Sequence, residues 1–206
     1  MTDNANHHAL YDAMLQAVRA LYNEQNILSR FANLPDEMPR QQITPATHPS
    51  RALFETDDKL ASHHFADLQK ALLDASPAMA WRTIYQPSGK PDDHHDYGFA
   101  ERLGCYVILG KDGPFACPDM TIFLVYMPAG TLYPWHTHPA EELYFMISGK
   151  AIFKRGDKED VILSEGQSMF HSENQPHAIE TTNKPMLSLA IWRNHLDTPP
   201  LLIDHP

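Results

Sequence analysis

Residues 131–149 read TLYPWHTHPAEELYFMISG, a run that holds two histidines, two adjacent glutamates and two tyrosines. His136 and His138 are two apart, so on an extended strand both imidazoles point to the same face. Pro139 and Ala140 interrupt that strand, and Glu142 and Tyr144 repeat the two-residue spacing beyond the interruption. Leu143, Phe145 and Ile147 then face the other way. One side of the ribbon is polar and the other apolar, and a polar inner face is stable only if something inside the sheet satisfies it. A metal ion does this most economically, because His and Glu side chains are ready ligands for a divalent transition metal.

On both sides of this run the chain reads as strands. Period-two or short apolar segments occur at 105–109, 121–127, 142–148, 151–155, 160–163, 168–171, 177–181 and 187–192. Turn signals separate them, among them Pro128-Ala129-Gly130, Gly149-Lys150, Gly156-Asp157 and Ser164-Glu165-Gly166. Short strands at this spacing predict a β-sandwich or barrel. Trp81–Tyr85 is expected as its first strand, followed by a polar loop over Pro87–Tyr97.

Upstream the period is helical. Leu10, Met14, Val18, Leu21 and Leu28 predict an amphipathic helix over residues 7–31. Prolines 35, 39, 45 and 49 make the next stretch a connecting loop. A second helix is expected from a cap at Asp57 or Asp58 through Leu73, closed by Pro77. The expected organisation is an N-terminal helical extension, residues 1–78, packed on a β-barrel domain, residues 79–206.

With 206 residues the chain can bury a sizeable core, and its formal charge of −10 carries no basic cluster to neutralise phosphates. Nucleic acid is therefore not an expected partner, and a small molecule is. Cys105 and Cys117, the only cysteines, have no zinc-type or disulfide-framework spacing. With no basic leader and apolar run at the N-terminus and no apolar stretch long enough for a membrane helix, a cytoplasmic protein without membrane contact is expected.

Gly130, His136, His138, Glu142 and Gly149 fill every specified position of a known pattern, G-x5-H-x-H-x3-E-x6-G, which resembles the first motif of the cupins. The second cupin motif is partly present: Gly156 and Gly166 stand in place and His177 lies where the far histidine is expected, while Ser164 and Thr181 replace the usual Pro and Asn. His171, six residues earlier, competes with His177; the latter is preferred because it enters a new strand where His171 ends one. The run Tyr133 to Tyr144, with Pro176-His177-Ala178 and Leu189 to Arg193, is similar to the cupin-type dimethylsulfoniopropionate (DMSP) lyases.

That resemblance implies a mainly β cupin barrel with an N-terminal helical region and a metal-dependent carbon–sulfur lyase. The reaction is a β-elimination that splits zwitterionic DMSP into dimethyl sulfide and acrylate. His136, His138, Glu142 and His177 would hold one divalent ion, of which Zn, Fe, Mn, Co and Ni all suit the set. The resemblance marks Tyr133 as the base, with Tyr144, on the parity of Glu142, as support near the metal. Trp192 and Tyr126 are expected to offer aromatic faces to the sulfonium. Trp135 and Phe145 are of the right type, but alternation turns them outward. The same ligand set also serves Fe(II) dioxygenases, metal-dependent sugar isomerases and non-catalytic ligand-binding cupins, and the barrel and helices are compatible with a homodimer.

Overall fold

The computed structural model describes residues 2–84, 98–156 and 158–205. Among them are nine strands: β1 (Gly104–Leu109), β2 (Met120–Met127), β3 (Leu132–Thr137), β4 (Glu141–Arg155), β5 (Lys158–Ser164), β6 (Ser168–His171), β7 (His177–Glu180), β8 (Met186–Arg193) and β9 (Leu201–Leu202). They form one antiparallel sheet in the order β1-β2-β8-β4-β7-β3-β9, with β5 and β6 also paired to β4. The sheet curls over on itself through β4, whose first half pairs with β8 and β6 and whose second half pairs with β7 and β5.

This long strand replaces the two shorter ones expected on either side of Gly149-Lys150. Gly149 is a bend within one strand, at a φ of +81° that side-chain-bearing residues rarely adopt. A Cβ there would lie 1.9 Å from the Pro185 carbonyl oxygen. Lys150 N–H donates to that same carbonyl at 3.0 Å, which pins the bend against the β7–β8 connection.

Alternation along the strands divides the apolar side chains into two clusters. Val125, Tyr144, Met146, Phe153, Ile179 and Ala190 fill the concave inner side, drawn from both halves of the curl. Leu124, Phe145, Ile147, Leu189 and Ile191 point outward into a second cluster, completed by Met14, Val18 and Leu21 of helix α1 (Thr2–Glu24) and by Leu68 and Leu72 of helix α4 (Ala66–Ala75). Strands β2 and β8 are thus covered on both faces, which is why they are apolar at nearly every position. Burying one such Leu or Phe is worth roughly 1.5–3 kcal/mol.

The helical region differs from expectation in its boundaries. The helix expected over 7–31 is broken at Gln25, whose φ of −113° and ψ of 84° leave the helical region, so α1 is followed by a short α2 (Asn26–Phe31). The helix expected from Asp57 begins only at Ala66. Asp57 instead ends a separate helix, α3 (Pro49–Thr56), within what the prolines marked as loop. Pro49 starts that helix: proline at the first helical position lacks only an N–H that would have no partner, and the His48 side chain accepts the Ser50 N–H. Helix α3 lies so close to β1 that a Cβ at Gly104 would meet Ser50 Oγ at 1.7 Å.

Residues 81–84, the described part of the strand expected over Trp81–Tyr85, do not form a regular strand. Among them, Arg82 forms a single bridge with Cys105. Tyr85 and the Pro87–Tyr97 loop lie outside the described residues. The short helix α5 (Gly98–Arg102) then leads into β1.

Candidate metal centre

The candidate ligands meet because of two local devices. Tyr133 pairs with Ile179 and His136 with His177, so three steps along β3 match two along β7. The extra residue is a β-bulge at Pro134-Trp135, and it lets Tyr133 and His136 share the inner face despite their odd spacing. Their rings stack at 3.8 Å. His138 follows the end of β3, and Glu142 is the first inward residue of β4, directly opposed to Trp192 on β8 and His171 on β6.

His136, His138, Glu142, His171 and His177 are all buried. The His136 ring lies 4.0 Å from that of His177, and the His138 ring 5.1 Å from it. Glu142 Oε2 is 3.3 Å from His138 Nε2, 3.3 Å from His177 Nε2 and 3.2 Å from His171 Nδ1. Two sets of side chains bring potential ligand atoms together, His136 with His138 and His177, and Glu142 with His171 and His177.

The outer nitrogens settle the tautomers. Nδ1 of His136, His138 and His177 faces the backbone carbonyls of Pro134, Ala140 and Gln175 at 2.7, 2.9 and 2.8 Å. A carbonyl only accepts, so Nδ1 carries the proton and Nε2 offers a lone pair. Nε2 of His138, His171 and His177 is buried without a hydrogen-bond partner among the described residues. The lone pairs of His138 and His177 aim at the Glu142 carboxylate and call for a cation between them, while His171 meets that carboxylate through Nδ1, so the residues present fit a divalent metal ion.

The electrostatics agree. Burial, then the neighbouring His177, holds the His136 imidazole well below its ordinary pKa and so in the neutral form a ligand needs. Burial and His177 push His171 down to about 4. Burial drives the Glu142 carboxyl upward, but His138, His171 and His177 outweigh it and keep it well below the usual carboxylate range.

Around this group stand the expected aromatic residues. Trp192 donates its indole N–H to Glu142 Oε1 at 2.6 Å, and its ring lies 4.4 Å from His138. Tyr144 is buried with its ring 5.9 Å from His171. Its phenol is raised well above the ordinary value, by burial first and then by the charge and hydrogen bonding of the Glu142 carboxylate. Tyr133 lies flat between His136 and Phe99, whose ring centre is 5.8 Å away.

Tyr126 is not brought into this group. It points to the outer side of β2, where its hydroxyl donates to Asp57 Oδ2 at 2.7 Å and its ring meets Phe54. Phe145 also faces outward, against Phe65. His171, the expected bystander, stands inside the group against Glu142 and His177. Beside Trp192 a cavity of about 710 Å³ is lined from the inner face by Val107, Thr121 and Phe123 and at its rim by Cys117 and Leu196.

A curled antiparallel sheet enclosing buried histidines and a glutamate able to bind a metal defines a cupin of the metal-binding kind. Comparison with known proteins narrows this class. The family described as dimethylsulfoniopropionate lyase matches residues 22–188, and the chain belongs to that family. It is 36% identical over 192 residues to the dimethylsulfoniopropionate lyase DddQ of Ruegeria pomeroyi, covering 93% of each chain. The crystal structure of that enzyme superposes with a TM-score of 0.87 over 96% of this chain and 98% of the other, at 35% identity. A chain from the crystal structures of the DMSP lyases RdDddP and RnDddQII matches with a TM-score of 0.86, at 29% identity, over 96% of this chain and 100% of its own.

Proposed function

We propose that the protein is a metal-dependent lyase that cleaves DMSP by β-elimination to dimethyl sulfide and acrylate. The observation that carries the reading is the convergence of the His138 and His177 Nε2 atoms on Glu142 Oε2, on the inner side of the curled sheet. His136, His138, His177 and Glu142 would hold the ion, with His171 bracing Glu142. A divalent metal bound there supplies the Lewis acidity that holds a substrate carboxylate and favours loss of the neighbouring α-proton.

The chain's own residues then do three things. The faces of Trp192 and Phe123, edge to face at 5.3 Å, receive the sulfonium, which has no N–H or O–H to donate. The apolar inner cluster excludes water from the reacting carbons. Tyr144, as the phenolate that a bound cation would make available, takes the α-proton and becomes the phenol; the electron pair left behind forms the double bond, and the carbon–sulfur bond breaks with its pair to sulfur, releasing a neutral sulfide.

The base is thereby moved from Tyr133, where the resemblance puts it, to Tyr144. Tyr144 is buried two residues along β4 from Glu142 with its ring 5.9 Å from that of His171, beside the candidate ligands, whereas Tyr133 is packed flat on the His136 ring and supports that imidazole. Anaerobic incubation of purified, metal-analysed protein with DMSP tests the function. Equal amounts of dimethyl sulfide and acrylate are expected, and metal-loaded protein that yields neither sinks the reading.

A further inference from the structure

Strand β4 ends at Arg155, directly across from His177 on β7. Opposed residues of antiparallel strands share a face, and the preceding pair of this parity, Phe153 with Ile179, lies in the inner cluster. Arg155 therefore stands on the inner face at the barrel's rim, beside an imidazole of the candidate centre. Its Nε is buried with no hydrogen-bond partner among the described residues. The contrast with its neighbour is informative: Lys154, on the outer face, pairs with Glu180 at 2.9 Å. Glu142 cannot serve Arg155 in the same way, because Trp192 takes one of its oxygens and three imidazoles surround the other.

A guanidinium with a buried, unanswered donor is matched by a planar anion, and carboxylate is the small anion it fits best. On the other half of the barrel, the cavity wall carries the Phe123–Trp192 aromatic pair, a surface for an onium group, and its two cations are already neutralised, Arg82 by Asp112 and Lys111 by Asp197. The two sides of the centre therefore differ, with an unpaired guanidinium donor on the β4–β7 side and an aromatic pair among already paired ions on the β2–β8 side.

We propose that Arg155 engages the substrate carboxylate together with the ion, through the oxygen the ion leaves free, and so fixes the direction in which a zwitterion lies across the site, its onium end toward Phe123 and Trp192. This rests on the lyase reading for the identity of the substrate, but not for the carboxylate preference itself. Arg155→Met and Arg155→Lys are compared with the parent for metal content, turnover of DMSP, and binding of acrylate, propionate and trimethylsulfonium. Arg155→Met is expected to raise KM for DMSP and to weaken acrylate and propionate by a factor on the order of 10–100, with metal content kept, trimethylsulfonium binding unchanged and kcat altered far less than KM. Arg155→Lys, which keeps the charge without the fork, should recover part of the loss.

Acrylate binding to Arg155→Met with parental affinity overturns the proposal. So does equal weakening of acrylate and trimethylsulfonium in the folded, metal-loaded Lys variant. If the parent makes no dimethyl sulfide but binds propionate through Arg155, the carboxylate site stands and the lyase reading falls. If dimethyl sulfide is made with the same KM in the Met variant, the lyase reading stands and Arg155 has no part in it.

Discussion

Trp192 and Glu142 face each other across the β8–β4 ladder and are joined by a buried 2.6 Å hydrogen bond from the indole N–H to Oε1. That bond leaves Oε2 for the imidazoles, so the indole sets the orientation of the carboxylate as well as presenting its face to the cavity. Trp192→Phe keeps an aromatic face and removes the donor. Metal affinity should fall by roughly 10–100-fold, the usual effect of losing a partner that orients a ligand. Competition against a chelator measures this, and unchanged affinity would show that Glu142 is oriented without the indole.

His177→Ala should remove most bound metal and nearly all activity, since one of the converging neutral nitrogens is lost. His171→Ala is not the inert control that its place at a strand end implies. With Nδ1 3.2 Å from Glu142 Oε2 and its ring 4.0 Å from that of His177, it should lower metal affinity as well, though less. Elemental analysis of both variants decides, and full metal in His177→Ala would displace that residue from the set.

Glu165, in the β5–β6 turn, ties the barrel to the segment before α4. It accepts the Ser62 hydroxyl at 2.5 Å and the backbone N–H groups of His63 and His64 at 2.9 and 2.7 Å. Burial acts upward on its carboxyl, but these donors outweigh it and hold the group below its ordinary value. A carboxyl depressed in the folded state stabilises above its unfolded value, and the contribution is lost as pH falls through the folded one. Glu165→Gln should therefore melt a few degrees below the parent at neutral pH, with the gap narrowing below pH ~4. A gap that persists at low pH would mean that the charge is not what matters.

Deleting residues 1–30 removes α1, whose Met14, Val18 and Leu21 are buried in the outer cluster shared with α4 and the sheet. The helical region is proposed as a cover that contributes no ligand. The truncated protein should melt at a lower temperature and bind a hydrophobic dye, yet keep its metal stoichiometry. Loss of metal from a protein that stays folded would place a functional element in the deleted segment.

The parts of this architecture that rest on local parity are legible in the sequence. His136, His138, Glu142 and Tyr144 face inward and Leu143, Phe145 and Ile147 outward, as two-residue alternation requires. Tyr126 is misread because β2 is buried on both faces, so alternation there carries no polar signal to say which side is inside. His171 is undervalued because its partner is set by the register of β6 against β4, a long-range pairing that no local pattern encodes. Gly149 and Pro49 are both read as breaks. One is a bend within a strand and the other a helix start, and in each case the tertiary neighbour, Pro185 or β1, decides.

The two tyrosines offer the sharpest test of the chemistry. A phenol with an ordinary pKa near 10 is a poor base at neutral pH, and only nearby positive charge makes its phenolate available. Burial and the Glu142 carboxylate push Tyr144 the other way, so its use as a base depends on a cation that neutralises that carboxylate. Tyr133 shares the inner face only because of the bulge at Pro134-Trp135, and its ring stacks on His136 at 3.8 Å, a contact that survives loss of the hydroxyl. Tyr144→Phe should lower kcat by a factor on the order of 10²–10⁴, the usual cost of deleting a general base, with metal content intact. Tyr133→Phe should keep the stacking and lose much less. Single-turnover rates on metal-matched samples separate the two, and a dead Tyr133→Phe beside an active Tyr144→Phe would exchange their roles.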